Sequence, residues 1–129
     1  MDFIYDRDSR DLMTTPRIID QATIATLRDL GTGDNGAFLR EIVGIFLADT
    51  PLRLAELKES LAARDREKFI RSAHCLKGSS ASVGAVALRA SADSIEARAR
   101  AEFGPDLGPV LAELTAEYER ARIELQELA

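Results

Sequence analysis

Apolar residues recur every three or four positions through most of this chain, which is the spacing of amphipathic α-helices. No stretch alternates apolar and polar residues in the manner of a β-strand. The first predicted helix is short and carries Ile24, Leu27 and Leu30 on one side. Asp20 can cap its beginning and Gly31 can end it.

The second stripe is long and contains a proline. Its positions are Leu39, Val43, Phe46, Thr50, Leu54, Leu57 and Leu61. Proline normally interrupts a helix, at a cost of about 3 kcal/mol. Because the stripe keeps its phase on both sides of Pro51, we predict one kinked helix rather than two, with Asp34 as its N-terminal cap.

Three further stripes predict three more helices. Asp65 can cap the first of these, Gly84 ends or bends it, and the next one stops before Gly104. Their inward-facing positions are, in chain order, Phe69, Ala73, Leu76, Ser80 and Val83; then Leu88, Ala92, Ile95 and Ala99; then Leu107, Leu111, Leu114, Tyr118, Ala121, Leu125 and Leu128. The last set alternates intervals of four and three, which is typical of a packing seam between helices.

Four long amphipathic helices with short connections predict an all-α fold. We expect an antiparallel four-helix bundle with an additional short N-terminal helix, formed by residues 18–129. Residues 1–17 are rich in charge and have no clear period, so we expect them to form a flexible N-terminal arm.

Composition and charge narrow the class of protein. With 129 residues, 46% of them hydrophobic and 30% charged, the chain suits one globular domain. The net charge is −5, and no long Lys/Arg run with interleaved aromatics is present, which argues against nucleic-acid binding. A single cysteine excludes an internal disulfide, and neither a signal peptide nor a membrane-spanning stretch is visible, so we expect a cytoplasmic protein.

Histidine is the side chain that changes charge near neutral pH and serves there as a nitrogen nucleophile, and this chain has one, His74. At about 100° per residue, His74 lies roughly 140–160° from the mean direction of the inward-facing positions of its helix. A lone histidine is often a core residue. The phase of this one predicts that its ring faces solvent instead.

The neighbours of His74 are small or cationic. Gly78 lies one turn further on, where a longer side chain would cover the imidazole, although glycine costs a helix interior about 1 kcal/mol relative to alanine. Ala81 continues this side of the helix, and Lys77 and Arg71 place positive charge beside the ring. An exposed imidazole with this surrounding suits a docking partner that delivers an anion. Taken singly, each neighbour is equally compatible with packing or with ordinary solvated charge.

Other kinds of site lack the necessary residues. A metal site or a di-iron bundle needs several converging ligands, and one histidine cannot supply them. Ser79 and Ser80 lie on the same helix as His74 and point elsewhere, so a hydrolytic triad is not supported. Cys75 is expected to pack at the boundary of the core.

The segment Ala73-His74-Cys75-Leu76-Lys77-Gly78-Ser79-Ser80, followed by Val83-Gly84-Ala85, resembles the signature of the histidine-containing phosphotransfer (HPt) domain. The resemblance extends in pattern from about Ile19 to Leu128. It implies a phosphorelay intermediate of two-component signal transduction, which takes a phosphoryl group from a phospho-aspartate of one receiver domain and passes it to an aspartate of another.

The resemblance also implies roles for particular residues. His74 would be the phosphoacceptor, Lys77 the cation beside the phosphoryl oxygens, and Gly78 the clearance for the receiver. The family often has a polar residue, frequently Gln, on the next helix near the acceptor, and Glu96 occupies that position here. A carboxylate there could orient the imidazole N–H, but it would repel a phosphoryl group.

The implied partners are receiver domains of response regulators, of hybrid sensor histidine kinases, or of both. The residues expected to contact them are Ile70, Arg71, Ala81, Ala85 and Glu96. The resemblance implies a monomeric phosphocarrier without catalytic activity of its own. The resemblance further implies that the protein binds no cofactor or metal and that the receiver brings Mg²⁺. We expect no nucleic-acid or membrane partner.

Three other functions stay open at this point. The chain could bind receivers or kinases without accepting phosphate, act as a plain helical adaptor or dimerisation bundle, or be a histidine-dependent enzyme. The start at Met1 and the absence of a second domain favour a free-standing shuttle over a fragment of a hybrid sensor kinase.

Overall fold

The computed structural model describes residues 18–128, and helices make up most of that range. The five helices are α1 (Gln21–Leu30), α2 (Ala37–Ala62), α3 (Arg66–Ser82), α4 (Val86–Ala101) and α5 (Leu107–Gln126). Between residues 18 and 128 no β-strand is formed. The predicted all-α class is therefore confirmed, whereas the predicted arm, residues 1–17, lies outside the described residues.

The four long helices close into a bundle. Helix α3 packs against α2 and α4, α5 packs against α4 and α2, and the short α1 lies against α2. The connections between the long helices are short, at 63–65, 83–85 and 102–106, so successive helices run antiparallel. This arrangement is the predicted antiparallel four-helix bundle with a short N-terminal helix.

The core consists mainly of the stripes that the sequence predicts. Leu30 is an exception, because it is 70% exposed at the end of α1, where the prediction placed it on the apolar side. Phe69, Leu76, Leu88, Ile95 and Leu114 are among the largest side chains that are completely buried. Each inward-facing row meets the rows of the two neighbouring helices, and this burial of apolar surface is the main stabilising contribution to such a bundle.

Two of the three predicted caps lie where we expect them. The Asp20 carboxylate accepts a hydrogen bond from the Ala22 N–H, and that of Asp65 accepts one from the Lys68 N–H. The third prediction is wrong in position, because α2 begins at Ala37, after Gly36. Gly36 has a φ of 80°, a left-handed conformation that cannot continue a helix. From its place in the preceding turn, Asp34 still accepts a hydrogen bond from the Phe38 N–H at 3.0 Å.

Helix α2 continues through Pro51 as one element, as its unbroken stripe predicts. Proline has no N–H, so the carbonyl of Leu47, four residues earlier, loses its helical partner. The Tyr118 hydroxyl of α5 approaches that carbonyl and donates a long hydrogen bond of 3.5 Å. Packing against α5 therefore offsets part of the cost of the proline.

A short extended segment before α1 pairs with the turn between α3 and α4. Ile19 forms an isolated antiparallel bridge with Ala85, and the Asp20 N–H donates to the Gly84 carbonyl at 2.7 Å. Gly84 has a φ of +73°, which ends α3 and brings the two segments together. This pairing fixes the start of the bundle beside the end of the helix that carries His74.

Candidate functional site around His74

The imidazole of His74 projects outward from α3, as predicted from its phase. Its side chain is 63% exposed, and its Nδ1 faces α4 at 3.2 and 3.4 Å from the two carboxylate oxygens of Glu96. No atom of residues 18–128 forms a hydrogen bond with the other ring nitrogen, Nε2. The ring is thus held on one side by the protein and open on the other.

Glu96 is a buried carboxylate at the centre of a group of charges. Its side chain is 7% exposed, and Arg100 Nη2 approaches it at 2.8 Å and Lys77 Nζ at 3.2 Å. Lys77 Nζ also lies 3.3 Å from Asp93, which is exposed. We call these five side chains the His74 cluster: His74, Lys77, Asp93, Glu96 and Arg100.

The protonation of this cluster follows from its contacts. Burial raises the pKa of Glu96, but hydrogen bonds from Arg100, Lys77 and His74 outweigh burial and hold the pKa below its ordinary value of 4.5. Hydrogen bonds to Glu96 and Asp93 raise the pKa of Lys77 above its ordinary value of 10.5. At neutral pH, Glu96 is therefore ionised and can accept a hydrogen bond from an Nδ1–H group.

The exposed face of α3 around His74 is lined mainly by small side chains. Arg71, Cys75, Gly78, Ala81 and Ser82 are all exposed. A Cβ atom at Gly78 would meet no heavy atom of the described chain within 4 Å beyond the adjacent backbone of α3. The predicted clearance at Gly78 is therefore present, and the fold does not require glycine there.

Several sequence predictions about this face need correction. Ile70 is 8% exposed and Ala85 is completely buried, so neither lies on a surface that a partner can contact. Ile70 falls between His74 and the buried Ala73 on the helical wheel and joins the core, and Ala85 is covered by its pairing with Ile19. Glu96 is buried as well and contacts His74, instead of forming part of a docking surface.

The structure adds partners for Lys77 and corrects the position of Cys75. The Lys77 ammonium lies against Glu96 and Asp93 on the α4 side of the ring, and these two ion pairs are not part of the sequence prediction, which places positive charge beside the ring. Cys75, expected at the core boundary, is exposed one residue after His74.

The sequence analysis missed Asp93 and Arg100 of the His74 cluster, and it missed one apolar groove. Arg100 follows Glu96 by four residues, and that spacing on a helix was the available signal. The groove lies between α2 and α3, beyond Gly78, and includes Ile42, Ile45, Ser79 and Val83. Ile45 is 58% exposed, and its place outside the apolar stripe of α2 was a second available signal.

Two kinds of site are absent from the part of the chain that the structure describes. There, no group of three or more His, Cys, Asp or Glu side chains is close enough to hold a metal ion. In the same residues, no helix is both long and apolar enough to cross a membrane.

Comparison with known proteins gives one consistent result. The sequence model of the Hpt domain matches residues 41–124. "Multistep phosphorelay regulator 1" of Schizosaccharomyces pombe is 29% identical over 93 residues, which cover 71% of this chain and 32% of that protein. The chain thus spans about a third of the length of this curated relative.

Two solved structures share the fold. Histidine-containing phosphotransfer protein B (HptB) of Pseudomonas aeruginosa PAO1 superposes with a TM-score of 0.78 at 23% identity, covering 88% of this chain and 95% of that one. The HPT domain of a sensor hybrid histidine kinase from Shewanella gives a TM-score of 0.65 at 18% identity, covering 84% and 95%.

Proposed function

The chain belongs to the Hpt domain family, whose members are phosphotransfer intermediates of two-component phosphorelays, and we propose that His74 carries the phosphoryl group. One observation supports this assignment above the others. The only histidine of the chain is exposed on α3 with Nδ1 bound to Glu96 and Nε2 directed away from it. A partner can reach Nε2 without any change in the bundle.

The transfer step follows from this geometry. With the proton on Nδ1, the lone pair of Nε2 attacks the phosphorus of a receiver's phospho-aspartate. An N–P bond forms, the P–O bond to the aspartate breaks, and the electron pair stays on the released carboxylate. The ring gains one positive charge, which the ionised Glu96 stabilises across the Nδ1–H hydrogen bond. Donation to a second receiver is the reverse sequence.

Lys77 and Gly78 assist at the open side of the ring. The ammonium of Lys77 is near enough to turn from Glu96 toward phosphoryl oxygens, because its side chain is partly exposed on the same helix one turn after His74. Gly78 leaves the space through which the receiver approaches. Phosphoryl transfer depends chiefly on such positioning and charge stabilisation. This domain supplies both without a metal, and the receiver contributes Mg²⁺.

The docking surface that we propose combines the face around His74 with the groove between α2 and α3. Arg71 and Ala81 lie on the helix face, and Ile45 offers exposed apolar surface beside it. We expect this contact to be small and to belong to the weak and transient class of signalling interfaces. The partners would be receiver domains of response regulators, of hybrid sensor kinases, or of both.

The remaining parts of the proposal follow from the family assignment. We propose that the chain works as a monomeric phosphocarrier in the cytoplasm, without catalysis of its own and without a nucleic-acid or membrane partner. The principal alternative is an adaptor that binds receivers but accepts no phosphate. The complete group formed by His74, Lys77 and Gly78 favours the carrier.

The test is transfer from a phosphorylated receiver domain to the purified protein. We expect label on the wild-type protein that is labile in acid and stable in base, as a phosphohistidine is, and no label on His74→Gln. Binding of the receiver by both proteins, without label on either, would establish the adaptor and overturn the carrier. Label on His74→Gln would place the acceptor elsewhere.

A further inference from the structure

Arg100 binds the carboxylate that holds His74. Its guanidinium reaches Glu96 Oε2 through two nitrogens, Nη2 at 2.8 Å and Nε at 3.2 Å. Lys77 Nζ approaches the other oxygen, Oε1, at 3.2 Å. Each carboxylate oxygen thus has its own cation, and the His74 Nδ1 lies within 3.4 Å of both oxygens. The rotation of the carboxylate is fixed from two sides.

We propose that Arg100 is a positioning residue for phosphoryl transfer, because it holds and neutralises the Glu96 carboxylate that orients the His74 ring. This inference rests on the proposed function of His74. It identifies the cation that allows a carboxylate, instead of a neutral side chain, to lie beside a phosphoryl-carrying ring.

The two cations of the cluster are not equivalent. Lys77 divides its ammonium between Glu96 and the exposed Asp93. Lys77 is also the cation placed to follow an incoming phosphoryl group. When it turns toward the phosphoryl oxygens, it leaves Glu96. Arg100 then remains as the cation bound to that carboxylate. Its planar guanidinium reaches the buried Glu96 from the surface, since the Arg100 side chain is 59% exposed, and binds one carboxylate oxygen through two nitrogens.

Loss of the Arg100–Glu96 ion pair has one of two consequences. A buried carboxylate without a charged partner is costly, so it would draw Lys77 back or rotate toward solvent. In the first case the phosphoryl group loses its cation. In the second case the Nδ1–H group loses its acceptor, and the proton can move to Nε2 and block attack. Both changes lower the rate of the transfer step and leave the docking surface intact.

The experiment is a cycle of substitutions at two positions. Arg100→Met removes the charge but keeps most of the length, Arg100→Lys restores a cation, and Glu96→Gln removes the charge that Arg100 neutralises. Transfer from a phosphorylated receiver is measured against receiver concentration for each single variant and for the double variant Glu96→Gln/Arg100→Met. Thermal unfolding confirms that each variant is folded.

We expect Arg100→Met to lower the maximal transfer rate about tenfold, as loss of one charge-assisted hydrogen bond does. The half-saturating receiver concentration should stay unchanged, and Arg100→Lys should recover part of the rate. In the Glu96→Gln background, Arg100→Met should have little further effect. Equal losses in both backgrounds, or no loss in the wild-type background, would overturn the proposal.

A second measurement needs no receiver. Because the chain has one histidine, the ¹⁵N spectrum of the imidazole reports His74 alone. Lys77 can also hold the carboxylate, so the comparison is made in a Lys77→Met background. At fixed pH we expect Lys77→Met/Arg100→Met to have a larger fraction of ring with the proton on Nε2 than Lys77→Met alone, and equal tautomer ratios in these two variants would contradict the proposal. If the wild-type protein accepted no phosphate, the proposed function would fail, and this spectrum would still show whether Arg100 positions the ring.

Discussion

Gly78 lies one helical turn beyond His74 on the same exposed face of α3, with open space where its side chain would be. A Cβ atom there would meet nothing within 4 Å in the described part of the chain, apart from the adjacent helix backbone. Glycine lowers the stability of a helix interior, so the fold would gain from another residue at this position. We therefore propose that glycine at this position serves an interaction outside the bundle, the approach of a receiver to His74.

Gly78→Ala should stabilise the protein, by up to about 1 kcal/mol, because alanine has the higher helix propensity. Gly78→Leu should fold as well but slow transfer from a receiver, by up to about 100-fold, because a displacement of about 1 Å at a reacting centre has that effect. Chemical denaturation and single-turnover labelling of His74 measure the two effects. Unchanged transfer by Gly78→Leu would show that the receiver does not need this clearance.

Gly44 provides the matched control. It lies in the interior of α2 and is exposed, and apart from its own helix no heavy atom of residues 18–128 lies within 4 Å of where its Cβ atom would be. On the helical wheel it points away from Ile42, which lines the groove between α2 and α3. Gly44→Ala should raise stability by a similar amount, and Gly44→Leu should leave the transfer rate unchanged.

Gly84 is expected to respond in the opposite direction. Its φ of +73° is strained for any other residue, and a Cβ atom would lie 3.1 Å from the Asp20 carbonyl oxygen. Gly84→Ala should therefore destabilise the fold by at least about 1–2 kcal/mol, the cost of the left-handed conformation alone. Denaturant unfolding measures this loss. A stability equal to that of the wild-type protein would mean that the turn can rearrange.

Gly78 and Gly84 show which features the sequence could predict and which it could not. Helical periodicity placed all five helices, most of the buried positions and the outward direction of His74, because each depends on local spacing. Gly78 and Gly84 belong to one motif, and only tertiary contacts distinguish the open space at one from the close approach at the other. The same reason explains the error at Ala85, since no local pattern shows that Ile19 pairs with it.

The His74 cluster was predictable in part. Motif position brought Glu96 next to His74, and the structure places the two in contact. From the sequence alone, this carboxylate is expected to repel a phosphoryl group. In the structure, Arg100 pairs with Glu96 and neutralises its charge. This pairing depends on the side-chain conformation and burial that α3 and α4 impose together. Spacing alone could not show which ion pairs form.

Cys75 should report receiver docking directly. It is the one thiol of the chain and is exposed next to His74, so a receiver that reaches Nε2 must cover it or pass close to it. Adding a cysteine-free receiver should slow alkylation of Cys75 in proportion to complex formed. As a control, the Cys75→Ser/Ile123→Cys variant carries its thiol on α5, at a position that is 58% exposed. Equal protection at both positions would argue against docking at this face.

Arg71 should influence the rate of association more than the transfer step. It is exposed one turn before His74, where its charge can attract the acidic site of a receiver. Arg71→Glu should slow association at low salt, by about tenfold or more, and the difference should shrink as salt screens the charges. Lys58→Glu on α2 is the control for net charge. Equal association rates of the wild-type and Arg71→Glu proteins at low salt would remove Arg71 from the docking surface.

Lowering the pH should remove the contribution that ionised Glu96 makes to the free energy of unfolding. In the folded protein, the contacts of Glu96 hold its pKa below the ordinary value of 4.5. Its ionised form therefore stabilises the fold above that pH. As the pH falls through the lowered pKa, both folded and unfolded chains bind the proton and this contribution disappears.

Glu96→Gln has no such proton to bind, so this variant is the reference for the experiment. The difference in unfolding free energy between wild type and Glu96→Gln should therefore be largest above the ordinary value of 4.5, and should fall as the pH drops through 4.5 and on through the lowered pKa of Glu96. Denaturant titrations at a series of pH values measure it, with Glu113→Gln, an exposed carboxylate on α5, correcting for net charge. A difference that stays constant across this range would show that the cluster does not stabilise the ionised carboxylate.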